Sequence, residues 1–253
     1  MFRFYYTIVM RTGSILHYVP KMRRYAKHPE QYTEEDCHDL CCVMIDKVAR
    51  TAHASTTYYG IENLPAEGGY ILYSNHQGKY DALGIMRGHP RPCRVLMDKK
   101  RSEMPIANEY ISLVRGKRID AGNIRQQMQC IREIGEEVKE GKVYLIFPEG
   151  GYRKDQDNYM NRFRSGCFRS AMIAQCPIVP VAIIDSFKPF GERGLSHVQT
   201  EVHYLQPIPY EDYCGMKPAA LAEMVQARIA ACMEDVLGEK VWDDDAEMPG
   251  SVG

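Results

Sequence analysis

Gly69-Tyr70-Ile71-Leu72-Tyr73-Ser74-Asn75-His76-Gln77-Gly78-Lys79-Tyr80-Asp81 is the stretch on which the reading of this chain turns. Gly69 to Tyr73 is an apolar run of the kind a buried strand needs. It stops at Ser74-Asn75, and helical apolar spacing resumes at Ala82-Leu83. His76 therefore stands where a strand ends and a helix begins, with Asp81 on the helix's first turn. In open α/β folds, sites are built at that end of a strand. An imidazole titrates near neutrality, and a carboxylate nearby can fix its tautomer and stabilise the imidazolium, so the pair suits general-base work. A histidine near an aspartate is also an ordinary satisfied pair. The functional reading therefore leans on a second stretch, Leu145-Ile146-Phe147-Pro148-Glu149-Gly150, an apolar strand closed by a tight turn.

Working outward, strands alternate with helices, which predicts an α/β fold with a mixed, largely parallel sheet flanked by helices. Ser55–Ile61, Arg94–Met97, Lys117–Ile119, Val143–Phe147, Ile178–Ile184 and Val198–Leu205 read as further strands. Helices are expected from about Met104 to Val114, from the cap at Asn123 to Gly141, over Phe163–Gln175, and from Pro218 to Gly238. An N-terminal helical pair precedes them. The first helix covers residues 1–19 and ends at Pro20. Its apolar face carries Phe2, Tyr5, Tyr6, Val9 and Leu16, and its polar wedge Arg3, Thr7, Arg11 and Ser14. The second opens at Thr33 with a capping-box pattern to Asp36 and runs to about Ala54. Aromatic, amphipathic and followed by Lys21, Arg23, Arg24 and Lys27, the first helix suits a bilayer interface, and equally a helix packed on the protein's own core. The expected division is residues 1–54 as a helical membrane-interface segment, 55–238 as an α/β domain and 239–253 as an acidic, disordered tail.

With 253 residues, 45% of them hydrophobic, the chain is long enough for one sizeable core. A formal net charge of -1 excludes a typical nucleic-acid binder. The nine cysteines include no CxxC pair, and the cluster Cys37, Cys41, Cys42 has His38 or His53 only at poor spacing, so no metal site is expected. Reduced thiols fit a cytoplasmic setting. No window of 18 apolar residues is found, and Arg11 interrupts the apolar N-terminus, so neither a membrane span nor a secretory signal is expected.

The ordered pair of motifs, Asn75-His76 to Asp81 and then Phe147-Pro148-Glu149-Gly150, resembles the glycerolipid acyltransferases, most closely their 1-acylglycerol-3-phosphate acyltransferase branch. Ile178-Val179-Pro180-Val181 matches that family's last block, and the likeness spans roughly residues 55 to 210. Two positions depart from the family pattern. Ala121 stands where the second block has a phosphate-holding arginine, and Tyr152 where the third block has one, with Arg153 a residue later. Arg118, Arg125 and Arg153 are candidate substitutes.

The resemblance implies transfer of an acyl group from a thioester, acyl-CoA or acyl-carrier protein, to the hydroxyl of lysophosphatidic acid or a related lysolipid. No other cofactor is implied. On this reading His76 is the base and Asp81 orients it. Asn75, Lys99, Lys100, Arg118, Phe147, Pro148, Glu149, Gly150 and Arg153 are the expected substrate-binding residues, Arg162 and Arg164 being weaker candidates. Backbone N–H groups of the Gly150-Gly151 turn are candidate oxyanion donors, with a purely structural turn as the alternative. The expected location is cytoplasmic, peripheral on the inner face of a membrane. A different lysolipid acceptor, a thioesterase, and a non-catalytic lipid-interface binding protein are the competing readings.

Overall fold

The computed structural model describes residues 2–153 and 157–243. In chain order it contains α1 (Phe2–Met10), α2 (Thr12–Lys27), α3 (Glu34–Thr51), β1 (Ala54–Tyr59), β2 (Tyr70–Ser74), α4 (Asp81–Gly88), β3 (Arg94–Asp98), α5 (Lys99–Ser102), α6 (Ala107–Leu113), β4 (Lys117–Ile119), α7 (Ile124–Lys139), β5 (Val143–Ile146), α8 (Arg169–Ala174), β6 (Ile178–Ile184), α9 (Lys188–Gly191), β7 (Val198–Tyr204) and α10 (Pro218–Leu237). The strands form one sheet in the order β1-β7-β6-β2-β5-β3-β4. β6, β2, β5, β3 and β4 run parallel, whereas β7 is antiparallel to β6 and carries β1 parallel to itself. The fold is thus the mixed, mostly parallel sheet expected from the sequence.

Every residue of β2, β5 and β6 is buried. Helices cover both faces, so apolar runs replace alternation in these strands. Successive side chains then feed opposite layers. Ile71 and Tyr73 join Ile146, Ile178 and the apolar faces of α7, α8 and α10. Tyr70 and Leu72 join Leu145, Val181 and residues of α2, α3, α4 and α6. Each wholly buried Ile or Leu contributes about 1.5–3 kcal/mol, so these two layers carry most of the stability. Chain-local signals set the helix ends. Thr33 and Asp36 form a reciprocal capping box, the Asn123 side chain accepts from Gln126 N, and Gly238 closes α10 at φ 71°.

Several boundaries differ from expectation. The N-terminal part is three helices, not two: the break comes at Arg11, and Pro20 lies inside α2. Proline forfeits its bond to the carbonyl four residues back, but Leu16 and Pro20 are both exposed, where water can take that bond. The segment 1–54 packs on the sheet: Met22, Leu40, Cys41 and Ile45 share one apolar cluster with Tyr70 and Leu145. The expected helix over Phe163–Gln175 begins late, as a 3-10 turn at Ser165–Phe168 leading into α8. The start of the expected tail is packed: Val241 is buried and its carbonyl accepts from Met160 N at 2.8 Å. Residues 244–253 of that tail lie outside the described residues.

The polar wedge of α1 faces the protein, not water. Arg3 is fully buried, donating to the carbonyls of Gly194 (2.8 Å), Ser196 (3.0 Å) and Ala52 (3.4 Å). Phe2, Tyr5, Val9 and Met10 on the other side of the helix are exposed, as is Leu16 of α2. No helix among the described residues is long and apolar enough to cross a membrane.

Candidate active site

β2 lies between β5 and β6, with Tyr73 opposite Ile146 and Ser74 opposite Val181. The loops after β2 and β5 therefore leave the same edge of the sheet side by side, and the two motifs of the sequence meet there. Asp81 is the first residue of α4, where backbone N–H groups have no helical partner. Its Oδ2 accepts from Gln77 N (2.5 Å) and Gly78 N (2.8 Å) and lies 2.7 Å from His76 Nδ1. The Asp81 side chain is fully buried, whereas the His76 side chain is 17% exposed, so the imidazole alone reaches the surface. With a carboxylate oxygen as its partner, Nδ1 is the donor, and in the neutral ring Nε2 is then left with its lone pair. The ring is held from two sides. Phe147 stacks on it at 4.4 Å between centroids, and Tyr152 meets it edge-on at 4.9 Å.

Asn75 does not present its amide to a ligand. Its Nδ2 donates to Ile183 O (2.9 Å) and its Oδ1 accepts from Ile183 N (2.8 Å), so the side chain extends the ladder between β2 and β6 by one step. Gln77 fastens the same loop, donating to Ile183 O and Asn158 Oδ1 and accepting from Ser186 N. Glu149 fastens the loop as well. It is buried, with Oε1 accepting from His76 N (2.6 Å) and Oε2 from Asn161 N (2.8 Å). Both oxygens accept from backbone donors, so Glu149 ties the backbone of His76 to that of Asn161. Burial pushes its carboxyl up to about 8, against the pull of the Asn161 and His76 N–H groups.

Pro148 is buried, and its carbonyl accepts from Arg164 N at 2.9 Å. Gly150 has φ +72°, a left-handed backbone conformation that favours glycine over any residue with a Cβ. The Gly150 N–H closes that turn onto Phe147 O at 3.1 Å, which removes it from the oxyanion candidates.

The expected cations are only partly brought together. Arg118 sits on β4, three strands from β2 and so about 14 Å away. Its guanidinium donates to Asn108 and Ser112. Lys99 faces Asp120 at 3.8 Å, Lys100 is exposed on α5, and Arg125 is exposed on α7. Arg153 lies over the Tyr159 ring at 4.9 Å, with Nε 3.6 Å from Asp157. Sequence reasoning passed over Arg101, whose guanidinium lies 5.2 Å from the Tyr152 ring centroid, and Lys79, on the loop between His76 and Asp81. The basic run 99–101 was the available signal. At about 100° per residue, however, a helical turn sends its three side chains in three directions.

A family model described as Acyltransferase matches residues 55–184, a span holding His76, Asp81 and Glu149. The 1-acyl-sn-glycerol-3-phosphate acyltransferase alpha of Ovis aries is 27% identical over 202 residues, covering 77% of this chain and 68% of that one. A putative 1-acyl-sn-glycerol-3-phosphate acyltransferase of Caenorhabditis elegans is 30% identical over 186 residues, 72% of this chain and 65% of its own. The crystal structure of the acyltransferase PlsC from Thermotoga maritima shares the fold at a TM-score of 0.73, with 18% identity over 96% of this chain and 97% of that one. With just over half of its length matched by the family model, and with 1-acyl-sn-glycerol-3-phosphate acyltransferases among its relatives, the chain belongs to the Acyltransferase family of enzymes.

Proposed function

We propose that this enzyme moves a fatty acyl group from a thioester, acyl-CoA or acyl-carrier protein, to the hydroxyl of lysophosphatidic acid or a related lysolipid. His76 Nε2 takes the hydroxyl proton as the oxygen attacks the thioester carbonyl. Asp81 holds the reactive tautomer and stabilises the imidazolium that forms, and the thiolate then leaves with a proton returned by the ring. The observation that carries the reading is the 2.7 Å contact between His76 Nδ1 and a wholly buried Asp81, with only the imidazole reaching the surface. Both relatives quoted above carry names that specify 1-acyl-sn-glycerol 3-phosphate as acceptor, which favours that substrate here.

The test is transfer of a labelled acyl group to lysophosphatidic acid by His76→Ala and Asp81→Asn. A positioned base is worth about 10²–10⁴ in rate, so each variant is expected to lose at least about 10² in kcat. Near-native transfer by either ends the assignment. Thioester cleavage that proceeds equally well without any lysolipid would instead identify a thioesterase.

The enzyme works, on this reading, at the cytoplasmic face of a membrane without spanning it. The support is α1, whose buried side is polar and whose exposed side is aromatic and aliphatic. A helix oriented this way leaves its apolar side for an apolar phase other than the protein's own core.

A further inference from the structure

We infer that a cavity at the edge of the sheet opposite His76 is a second ligand site, which takes the phosphate of a soluble phosphate ester on Arg115 and Lys142. The cavity measures about 290 Å³, and Pro29, Glu34, Glu35, Arg91, Arg115 and Lys142 are among the residues that line it. Its three cations come from the loops that lead into β3, β4 and β5. Those strands run parallel to β2, so the cations gather where strands begin, whereas His76 stands where β2 ends. The distance from α1 follows from α3. This helix opens at the cavity with Glu34 and closes beside Ala52, whose carbonyl accepts from Arg3 of α1. At 1.5 Å per residue its 18 residues span about 27 Å. With α1 docked on a bilayer, as read above, the cavity lies at the end of the molecule away from the lipid, and its ligand arrives from the aqueous phase.

The cations here outnumber the acids that serve them. One oxygen, Glu34 Oε1, has Arg94 Nη2 at 2.7 Å, Lys142 Nζ at 2.9 Å and Arg115 Nη1 at 3.4 Å. Against the desolvation of burial, Arg94 and Lys142 hold the Glu34 carboxyl below the usual carboxylate range, so it supplies a single negative charge. Arg94 has a second partner in Glu137, but Arg115 and Lys142 have no other carboxylate among the described residues. Arg91 has none, and its amines go to the carbonyls of Gly68 (2.8 Å) and Gly141 (3.3 Å), so it adds charge to the wall. Glu35, exposed, is the other acid of the lining. Arg115 also stands in an unusual place. It follows the C-cap of α6 at φ 51°, with Gly116 N donating to Ile111 O, a left-handed position that favours glycine. The turn gains nothing from a guanidinium, and Glu34 already has two other cations. Arg115 donates to Glu34 and to Tyr32 O, and Lys142 to Glu34, which leaves donors on both. A phosphate monoester dianion answers two such charges at once, and guanidinium and ammonium give its oxygens charge-assisted bonds.

The experiment is calorimetric titration of the full chain with inorganic phosphate, in wild type, His76→Ala, Arg115→Gly, Lys142→Gln, the double variant of the last two, and Glu34→Gln. Arg115→Gly gives the turn its favoured residue, so the fold is retained while the guanidinium is lost. Wild type and His76→Ala are expected to bind phosphate alike, which separates the cavity from the catalytic edge. Arg115→Gly and Lys142→Gln are each expected to weaken binding by about 10–100-fold, the range for a lost hydrogen bond to a charged group. Glu34→Gln removes the competing carboxylate and is expected to tighten binding, which a purely structural ion network does not predict. No saturable binding by wild type, loss of binding in His76→Ala, undiminished binding by the double variant, or weaker binding by Glu34→Gln overturns the proposal. Sedimentation with vesicles carrying phosphatidic acid is expected to be the same for wild type and the double variant. A drop confined to the double variant would assign the cavity to a lipid head group and overturn the soluble ligand.

Discussion

At the scale of single residues, Glu149 decides how well His76 is placed. One carboxyl group joins the backbone of two loops, at His76 and at Asn161. Glu149→Gln turns one accepting oxygen into a donor facing a backbone N–H, which costs about 1–3 kcal/mol. Loss of kcat is expected with little change in KM, because the ring moves and the substrate contacts do not. The pH dependence has a definite sign. Burial raises Glu149 from 4.5 to about 8 in the folded chain, so the native state keeps a proton that the unfolded chain releases. This contribution is full below about pH 4.5 and is lost as pH rises through about 8. The stability gap between wild type and Glu149→Gln, read from urea unfolding, is therefore expected to be wider at pH 5 than at pH 8.5. A gap of equal width at both would show that the carboxyl is ionised throughout. The sequence singled out Glu149 as a residue that matters. It did not disclose the role, because the two N–H groups that occupy it lie 73 residues before and 12 after.

At the scale of elements, α1 is the informative case. Its periodicity separates an apolar side from a polar wedge, and that much is legible in the chain. Which side meets the protein is fixed by the carbonyls of Ala52, Gly194 and Ser196, from segments remote in sequence. A buried guanidinium is stable only with its donors satisfied, and those three carbonyls provide the acceptors. Phe2→Glu with Val9→Glu changes residues that are 59% and 70% exposed, so folding is expected to stay within about 0.5 kcal/mol of wild type. Co-sedimentation with anionic phospholipid vesicles is expected to fall by at least tenfold. Undiminished sedimentation would move the membrane contact to another surface. The other helices follow simpler rules. Thr33, Asn123 and Gly238 mark ends that local hydrogen bonding dictates, and they hold in the structure. Pro20 shows the limit of such rules, since an exposed proline leaves its orphaned carbonyl to water.

At the scale of the whole molecule, one sheet buried on both faces organises the rest. Amide exchange is expected to be slowest in β2, β5 and β6, whose residues are all buried, and to be fast in α1, which presents much of its surface to solvent. Protection of α1 equal to that of β2 in the free protein would mean that the N-terminal helices unfold only with the core. The sequence by itself determined the central strands, the loop that ends in His76 and Asp81, and the family, because covered strands read as unbroken apolar runs and both motifs are contiguous. Local chemistry is enough for each of these. Only the tertiary structure decided that β5 lies beside β2, that β7 reverses, that Asn75 and Glu149 tie loops to the scaffold, and that Arg101 lies over the Tyr152 ring that meets the imidazole. Those outcomes depend on pairings between segments tens of residues apart, and no local pattern encodes which distant carbonyl, amide or ring a side chain will meet.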